Sequence, residues 1–287
     1  NMAMGLVAEA ESRLPEALGH YRRSMVLDPG GLGPLESATR VLVTLRRQPD
    51  AVRMLVDDAT SHPRSPYALA LLGDLYLRSK RIAEAEKAFH ESAEREPRWW
   101  LPYRGMAHAA ITRGDLARAA AVLTTGLERA TDRVPLLMEL GQLAESQGKY
   151  ADAVRHYESA LTAEPNFDIA RQKVATLLST AFTDEASRRR AVEVAKPFAE
   201  SNSASLVDTY GWARFKSGDA TGALPVLERA LALAPQSPLI KYHVGAVQLA
   251  LGQKDAARGN IDAALEAGAR FPGIDEAKAA AASLASR

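Results

Sequence analysis

The side chains that could do chemistry are few and widely spaced. Six histidines occur, His20, His62, His90, His108, His156 and His243. A helical zinc site needs two histidines one turn apart with a glutamate between them. His90-Glu91 comes nearest, but no second histidine follows it. Cysteine is absent, which removes thiolate ligands, disulfides and cysteine nucleophiles together. Serine, histidine and aspartate nowhere gather around a strand-to-helix elbow that could present a nucleophile. No glycine-rich phosphate loop is present. Arg188-Arg189-Arg190 follows Asp184 and Glu185 and reads as a solvated helical face with local pairing. The expectation is a chain that is not an enzyme, with no catalytic residue, no metal site and no cofactor.

What remains is contact chemistry: three tryptophans, with arginines and histidines recurring among apolar runs. Composition bounds the partner. The 287 residues carry 36 Lys+Arg against 35 Asp+Glu, a formal charge of +1. A nucleic-acid protein needs a clear basic excess, so nucleic acid is not expected as a partner. No apolar run reaches the ~18 residues that cross a bilayer. The stretch 68–77 is interrupted by Asp74. No membrane span is expected in this segment.

The elements that must position these residues are visible in a repeat. Proline stands at Pro29, Pro63, Pro97 and Pro165; 63 − 29 and 97 − 63 both give 34, with Thr131 at the position where the series skips. Gly5, Gly73 and Gly141 keep the same clock, and Gly211 and Gly245 keep it with a two-residue shift. A second series, Gly114, Gly148, Gly218 and Gly252, falls seven residues after the first. Ala17, Ala85, Ala119, Ala153, Ala223 and Ala257 mark a further shared position. Small residues at fixed positions let two helices approach closely. Glycine at the turn supplies a left-handed backbone. Proline closes the second helix.

This pattern resembles the tetratricopeptide repeat family, whose unit is a pair of antiparallel helices. Residues 66–99 carry it as Leu69, Leu72-Gly73, Tyr76, Ala85, Phe89 and Pro97, and residues 134–167 as Leu137, Leu140-Gly141, Gly148, Ala153, Tyr157, Ala160 and Pro165. The resemblance implies an all-α fold, a right-handed α-solenoid of helix-turn-helix repeats with a C-terminal capping helix. Repeats are expected at 1–31 (partial), 32–65, 66–99, 100–133, 134–167, 168–203, 204–237 and 238–270, with the cap at 271–287. The whole is expected to form one solenoid domain, 1–287, and to be a fragment of a longer protein. Two repeats depart. Repeat 32–65 has Thr39 where glycine is usual and Arg46 at the turn. Repeat 168–203 is two residues longer, read as an extra helical turn at the front of its second helix, started by Thr183 or Asp184. Pro197 is expected to kink or end that helix.

In this family the first helices line a concave groove that binds a protein or peptide. The matching positions give a candidate set of Arg40, Arg78, Arg104, His108, Asp208, Trp212, Phe215 and Tyr242. They are basic in the early repeats and aromatic in the late ones. Trp212 is open to two readings, a partner anchor or packing between adjacent first helices. The four basic residues read as a solvated wall or as a track for an acidic ligand.

The last third is also similar to a subgroup of bacterial repeat proteins of exopolysaccharide export and envelope protein sorting. The similarity rests on 208–232, with its D-T-Y-G-W start, on Lys241-Tyr242-His243-Val244-Gly245 and on the F-P-G-I-D-E-A-K stretch from Phe271. It implies a scaffold in an envelope complex, with the periplasm favoured and the cytoplasm open. A polysaccharide partner, or a recruiting module joined to an enzyme outside this segment, are the alternatives.

Overall fold

The computed structural model describes residues 1–266, 268 and 270–285. Seventeen α-helices and no strand are found among the described residues. They form two compact units, 1–147 and 148–287. Positions 267 and 269 of the last expected repeat, and 286–287 of the expected cap, lie outside the described residues.

The first unit contains α1 (Met2–Ala10), α2 (Leu14–Leu27), α3 (Leu32–Thr44), α4 (Gln48–Ser61), α5 (Tyr67–Arg78), α6 (Ile82–Arg95), α7 (Leu101–Thr112), α8 (Leu116–Arg129) and α9 (Val134–Ser146). The second contains α10 (Tyr150–Ala163), α11 (Asp168–Thr180), α12 (Glu185–Ala195), α13 (Ala204–Lys216), α14 (Ala220–Leu233), α15 (Pro238–Ala250), α16 (Lys254–Glu266) and α17 (Ile274–Ala285), with a 3-10 helix at Lys196–Glu200. Within each unit, helices pack against neighbours one or two steps along the chain. The solenoid expectation holds at this level. α17 covers α15 and α16, burying Ala277 and Leu284 beside Ile261 and Phe271.

The small residues of the repeat are the contact points between paired helices. A Cβ added at Gly73 of α5 would stand 2.7 Å from the Phe89 ring of α6, and one at Gly245 of α15 would stand 2.7 Å from Ile261 of α16. The glycine lets the large residue of the second helix reach the first helix's backbone. Where α3 carries Thr39 instead, the residue at the large position is Leu55 rather than an aromatic.

Each first helix of the regular repeats turns into its second through one left-handed residue. Gly114, Gly148, Gly218 and Gly252 have φ of 79°, 70°, 97° and 77°. Ser12, Arg46 and Lys80 hold the same position at φ of 60°, 58° and 60° without being glycine. Left-handed backbone costs a residue with a Cβ roughly 1–2 kcal/mol. Lys80 is exposed, and Arg81 N donates to Tyr76 O at 2.8 Å across the turn. Lys80→Gly is therefore expected to stabilise the chain. Glycine's larger entropy in the unfolded chain offsets part of the relief, leaving a gain of about 0.5–1 kcal/mol. Urea unfolding of the full chain checks it, and a loss of stability would contradict the strain.

The longer repeat is built differently from expectation. α12 starts where Asp184 caps it, accepting from Ser187 N at 2.8 Å. It is 11 residues long against 14 in α10, so no turn is added at its front. The surplus goes into the connection 181–184 and the 3-10 helix Lys196–Glu200. Pro197 causes the change, because it has no N–H to continue the α-helical ladder. The Lys196 N–H already bonds Glu193 O, three residues back.

Candidate partner-binding faces

In the first unit the basic candidates sit on α3, α5 and α7. Arg40 reaches from α3 to α1 and donates through Nε and Nη2 to the two Glu9 carboxylate oxygens, each at 2.8 Å. Tyr21 OH donates to the same carboxylate at 2.6 Å. The Arg40 hydrogen bond holds the Glu9 carboxyl below its ordinary range, partly opposed by burial. Burial pushes the Tyr21 phenol up. Arg78 donates to Asp74 at 2.7 Å one turn back on α5, and both are well exposed. A pair of that kind contributes little to stability. Arg104 lies over the Trp100 ring, 4.8 Å from its centroid. His108 Nε2 meets Glu139 Oε2 at 3.0 Å, joining α7 to α9. Of the four basic residues, Arg104 is the one with no carboxylate partner among the described residues. The wall is thus largely neutralised by its own chain.

Beside the His108–Glu139 pair, a cleft of about 370 Å³ opens across α7 and α9. Leu77, Ile111, Leu116 and Leu143 give it apolar surface, and Gln142, Thr112 and Ser146 give it hydrogen-bonding groups. Ile111 is exposed there without an apolar cover.

In the second unit the other four candidates form one cluster. Asp208 of α13 and His243 of α15 are both buried, with Oδ1 and Nδ1 2.8 Å apart. One helical turn beyond Asp208, Trp212 stacks on the His243 ring, with centroids 3.8 Å apart and planes at 14°. Phe215 lies 5.2 Å and Tyr242 6.0 Å from the Trp212 ring. Lys216 Nζ stands 5.6 Å from the Trp212 centroid. Tyr242 is buried, packed on Phe271 at 5.8 Å, and its phenol is pushed up by that burial. Close approach of the Tyr242 ring leaves no room for a side chain at Gly273, whose φ is 86°. Trp212 and Phe215 keep partly exposed surface, whereas Asp208 and Tyr242 face inward. Of the two readings of Trp212, packing between adjacent first helices is what its contacts provide.

Partners of the candidates were absent from the sequence-derived set, among them Glu9, Asp74, Trp100, Glu139 and His243. For Glu139 and His243 the repeat length gives the neighbourhood though not the exact partner. Glu139 lies 31 residues after His108 and His243 lies 35 after Asp208, close to one repeat length. Residues that far apart fall on neighbouring first helices. Among the described residues no group of three or more histidine, aspartate or glutamate side chains could hold a metal, and no helix is long and apolar enough to cross a membrane.

Comparison with known proteins agrees with this architecture. Profiles of the family described as tetratricopeptide repeat match residues 40–97, 104–169 and 214–283, together more than half of the chain. Protein FlbA of Caulobacter vibrioides is 27% identical over 196 residues, 68% of this chain and 32% of that protein. Protein O-mannosyl-transferase Tmtc3 of Drosophila melanogaster is 30% identical over 121 residues, 42% of this chain and 13% of that protein. The chain thus spans a third or less of these relatives. The crystal structure of a tetratricopeptide repeat protein from Parabacteroides merdae superposes with a TM-score of 0.53 at 16% identity, covering 86% of this chain and 97% of that one. At that identity the likeness concerns the fold.

Proposed function

We propose, since the chain belongs to the tetratricopeptide repeat family, that it is a non-catalytic scaffold. It holds a segment of a protein partner against the first helices of its first unit. The observation that carries the reading is the cleft across α7 and α9, open and lined by both apolar and amide groups. Leu77, Ile111 and Leu143 would take an apolar side chain. Gln142 would bond the partner's backbone. Arg104, over the Trp100 ring at the start of the same helix, would meet a carboxylate, a charge-assisted bond about twice as strong as a neutral one. The second unit, taken by itself, would offer a partner the exposed parts of Trp212 and Phe215, contact area at low entropic cost.

The tests use the full chain, immobilised, to capture partners from separated periplasmic and cytoplasmic extracts, followed by affinity measurement with the identified partner. Arg104→Ala combined with Gln142→Ala is expected to weaken binding at least about tenfold, or ~1.4 kcal/mol, with helicity unchanged. Unchanged affinity would remove the cleft from the reading. A partner captured from the periplasmic fraction alone would support an envelope assembly, which the D-T-Y-G-W and Y-H-V-G motifs favour. Capture from the cytoplasmic fraction alone would count against it.

The match to a segment of an O-mannosyl-transferase favours a second reading, a module that recruits substrates for an enzyme encoded in the same chain. The length of the full gene product separates the two. A polysaccharide platform has less support, because the His243 stack occupies one face of the Trp212 ring.

A further inference from the structure

A second cleft of about 510 Å³ lies in the first unit, between α6 and α8 and over α7, on the side of the second helices. Its apolar lining comes from Ala93, Pro97, Tyr103, Met106 and Val122. Two hydroxyls around it are bonded within the chain, and His90 and Glu94 face each other at its rim. Tyr103 OH donates to Pro97 O at 3.0 Å, Thr125 Oγ1 donates to Ala121 O at 3.0 Å, and His90 stands 3.7 Å from Glu94. Arg129, which also lines the cleft, is exposed and has no hydrogen-bond or ion-pair partner among the described residues.

The repeat shows what Arg129 would otherwise do. Arg95 occupies the same position one repeat earlier, since 129 − 95 is 34. Arg95 is half-buried and folds back on the previous repeat, donating to Ala59 O at 3.3 Å and Ser65 O at 2.9 Å. Arg129 makes no such bond. The exit of α8 differs too: Ala130 has φ −70° and ψ 141°, against −138° and 83° for Glu96 at the end of α6. Thr131 stands where five other repeats carry Pro29, Pro63, Pro97, Pro165 and Pro235, and its N–H bonds Arg98 O at 3.0 Å. The altered exit and the released guanidinium coincide at the mouth of an apolar cleft.

We infer that this cleft is a second docking site, for an amphipathic helix of a protein partner that presents apolar side chains flanked by glutamate or aspartate. Its apolar face enters over Tyr103, Met106 and Val122, and one carboxylate pairs with Arg129. The charge argument selects the occupant: Arg129 is the lining residue with no partner among the described residues, a cation with paired donors suited to a carboxylate, while the Glu94 carboxylate faces His90. The apolar floor requires hydrophobic side chains beside that anion. This site lies apart from the α7–α9 cleft and does not depend on it.

The probe is a synthetic amphipathic helix, leucines along one face and glutamates flanking them, compared with versions carrying glutamine or lysine in place of glutamate. Binding to the full chain is followed by fluorescence anisotropy. The glutamate peptide is expected to bind about tenfold or more tightly than the glutamine peptide, one charge-assisted pair's worth. Arg129→Ala is expected to remove that preference while leaving the glutamine peptide unaffected. Ala121→Trp, which fills the cleft from an exposed position, is expected to abolish binding of both with helicity retained. In the Arg104→Ala, Gln142→Ala background the preference for glutamate that depends on Arg129 is expected to persist. Equal affinity for glutamate and glutamine peptides, preference for lysine, or no binding at millimolar peptide would overturn the inference. Loss of binding only in the Arg104 and Gln142 double variant would also overturn it, and would assign the peptide to the first-helix cleft.

Discussion

Replacing Phe89 with alanine is expected to lower the unfolding free energy by about 3–5 kcal/mol, the cost of deleting a buried ring. The value belongs at the upper end because of what surrounds the ring. Phe89 is 2% exposed, and its ring lies against the backbone at Gly73 of α5 and Gly105 of α7. Neither glycine has a side chain that could swing in, so the cavity persists. The reverse change is also unfavourable. A methyl at Gly105 would collide with the Phe89 ring, and overpacking of that kind costs typically about 1–3 kcal/mol. The two changes are expected to compensate. In the Phe89→Ala, Gly105→Ala double variant the new methyl enters the vacated space, so the loss is smaller than the sum of the singles. Urea titration of the four proteins checks this, and strict additivity would mean that the ring is not lodged against Gly105.

The second large effect is expected at Asp208. Asp208→Ala leaves the buried His243 ring without its partner, at about 3 kcal/mol, the upper end for an orphaned buried donor. Asp208→Asn retains an acceptor at the same place and is expected to lose clearly less. The change has an optical signature. The imidazole held by Asp208 is the surface on which Trp212 stacks. Releasing it should shift Trp212 emission to the red. Trp99→Phe and Trp100→Phe remove the other two indoles so that this signal is read alone. Equal losses for alanine and asparagine, with unmoved emission, would show that the pair does not organise the stack.

Much of this architecture was legible because the repeat writes one contact many times over. Gly73 opposite Phe89 and Gly245 opposite Ile261 are a single steric solution, so their period could be read without coordinates. The turn residues were half legible. Glycine at 114, 148, 218 and 252 announces a left-handed turn, but Ser12 and Lys80 adopt it because the helices on either side impose it. In the longer repeat the start of the second helix at Asp184 and its end near Pro197 were legible, and the extra turn at its front was a misreading. A two-residue surplus can be absorbed wherever the chain bends most easily, and only the placement of Pro197 decides where. In the candidate faces, the residue types were legible and their pairing was not. His108 with Glu139 and Asp208 with His243 are offset from the exact period by a few residues. Such offsets arise from how side chains lean between neighbouring helices, which periodicity does not encode. The loss of proline at Thr131 was visible, but its effect on Arg129 depends on the exit angle of α8.

Because the main helix–helix contacts among the described residues of each unit join elements one or two steps apart along the chain, native contacts close short loops. Topologies of this kind sit at the fast end of folding rates, from microseconds to milliseconds for small helical domains. Any adjacent helical pair can serve as the starting point, so the search for the native arrangement has many equivalent entrances. A chain emerging from the ribosome can therefore settle pair by pair as it is made. Damage to one pair would slow the local step and leave distant pairs free to form.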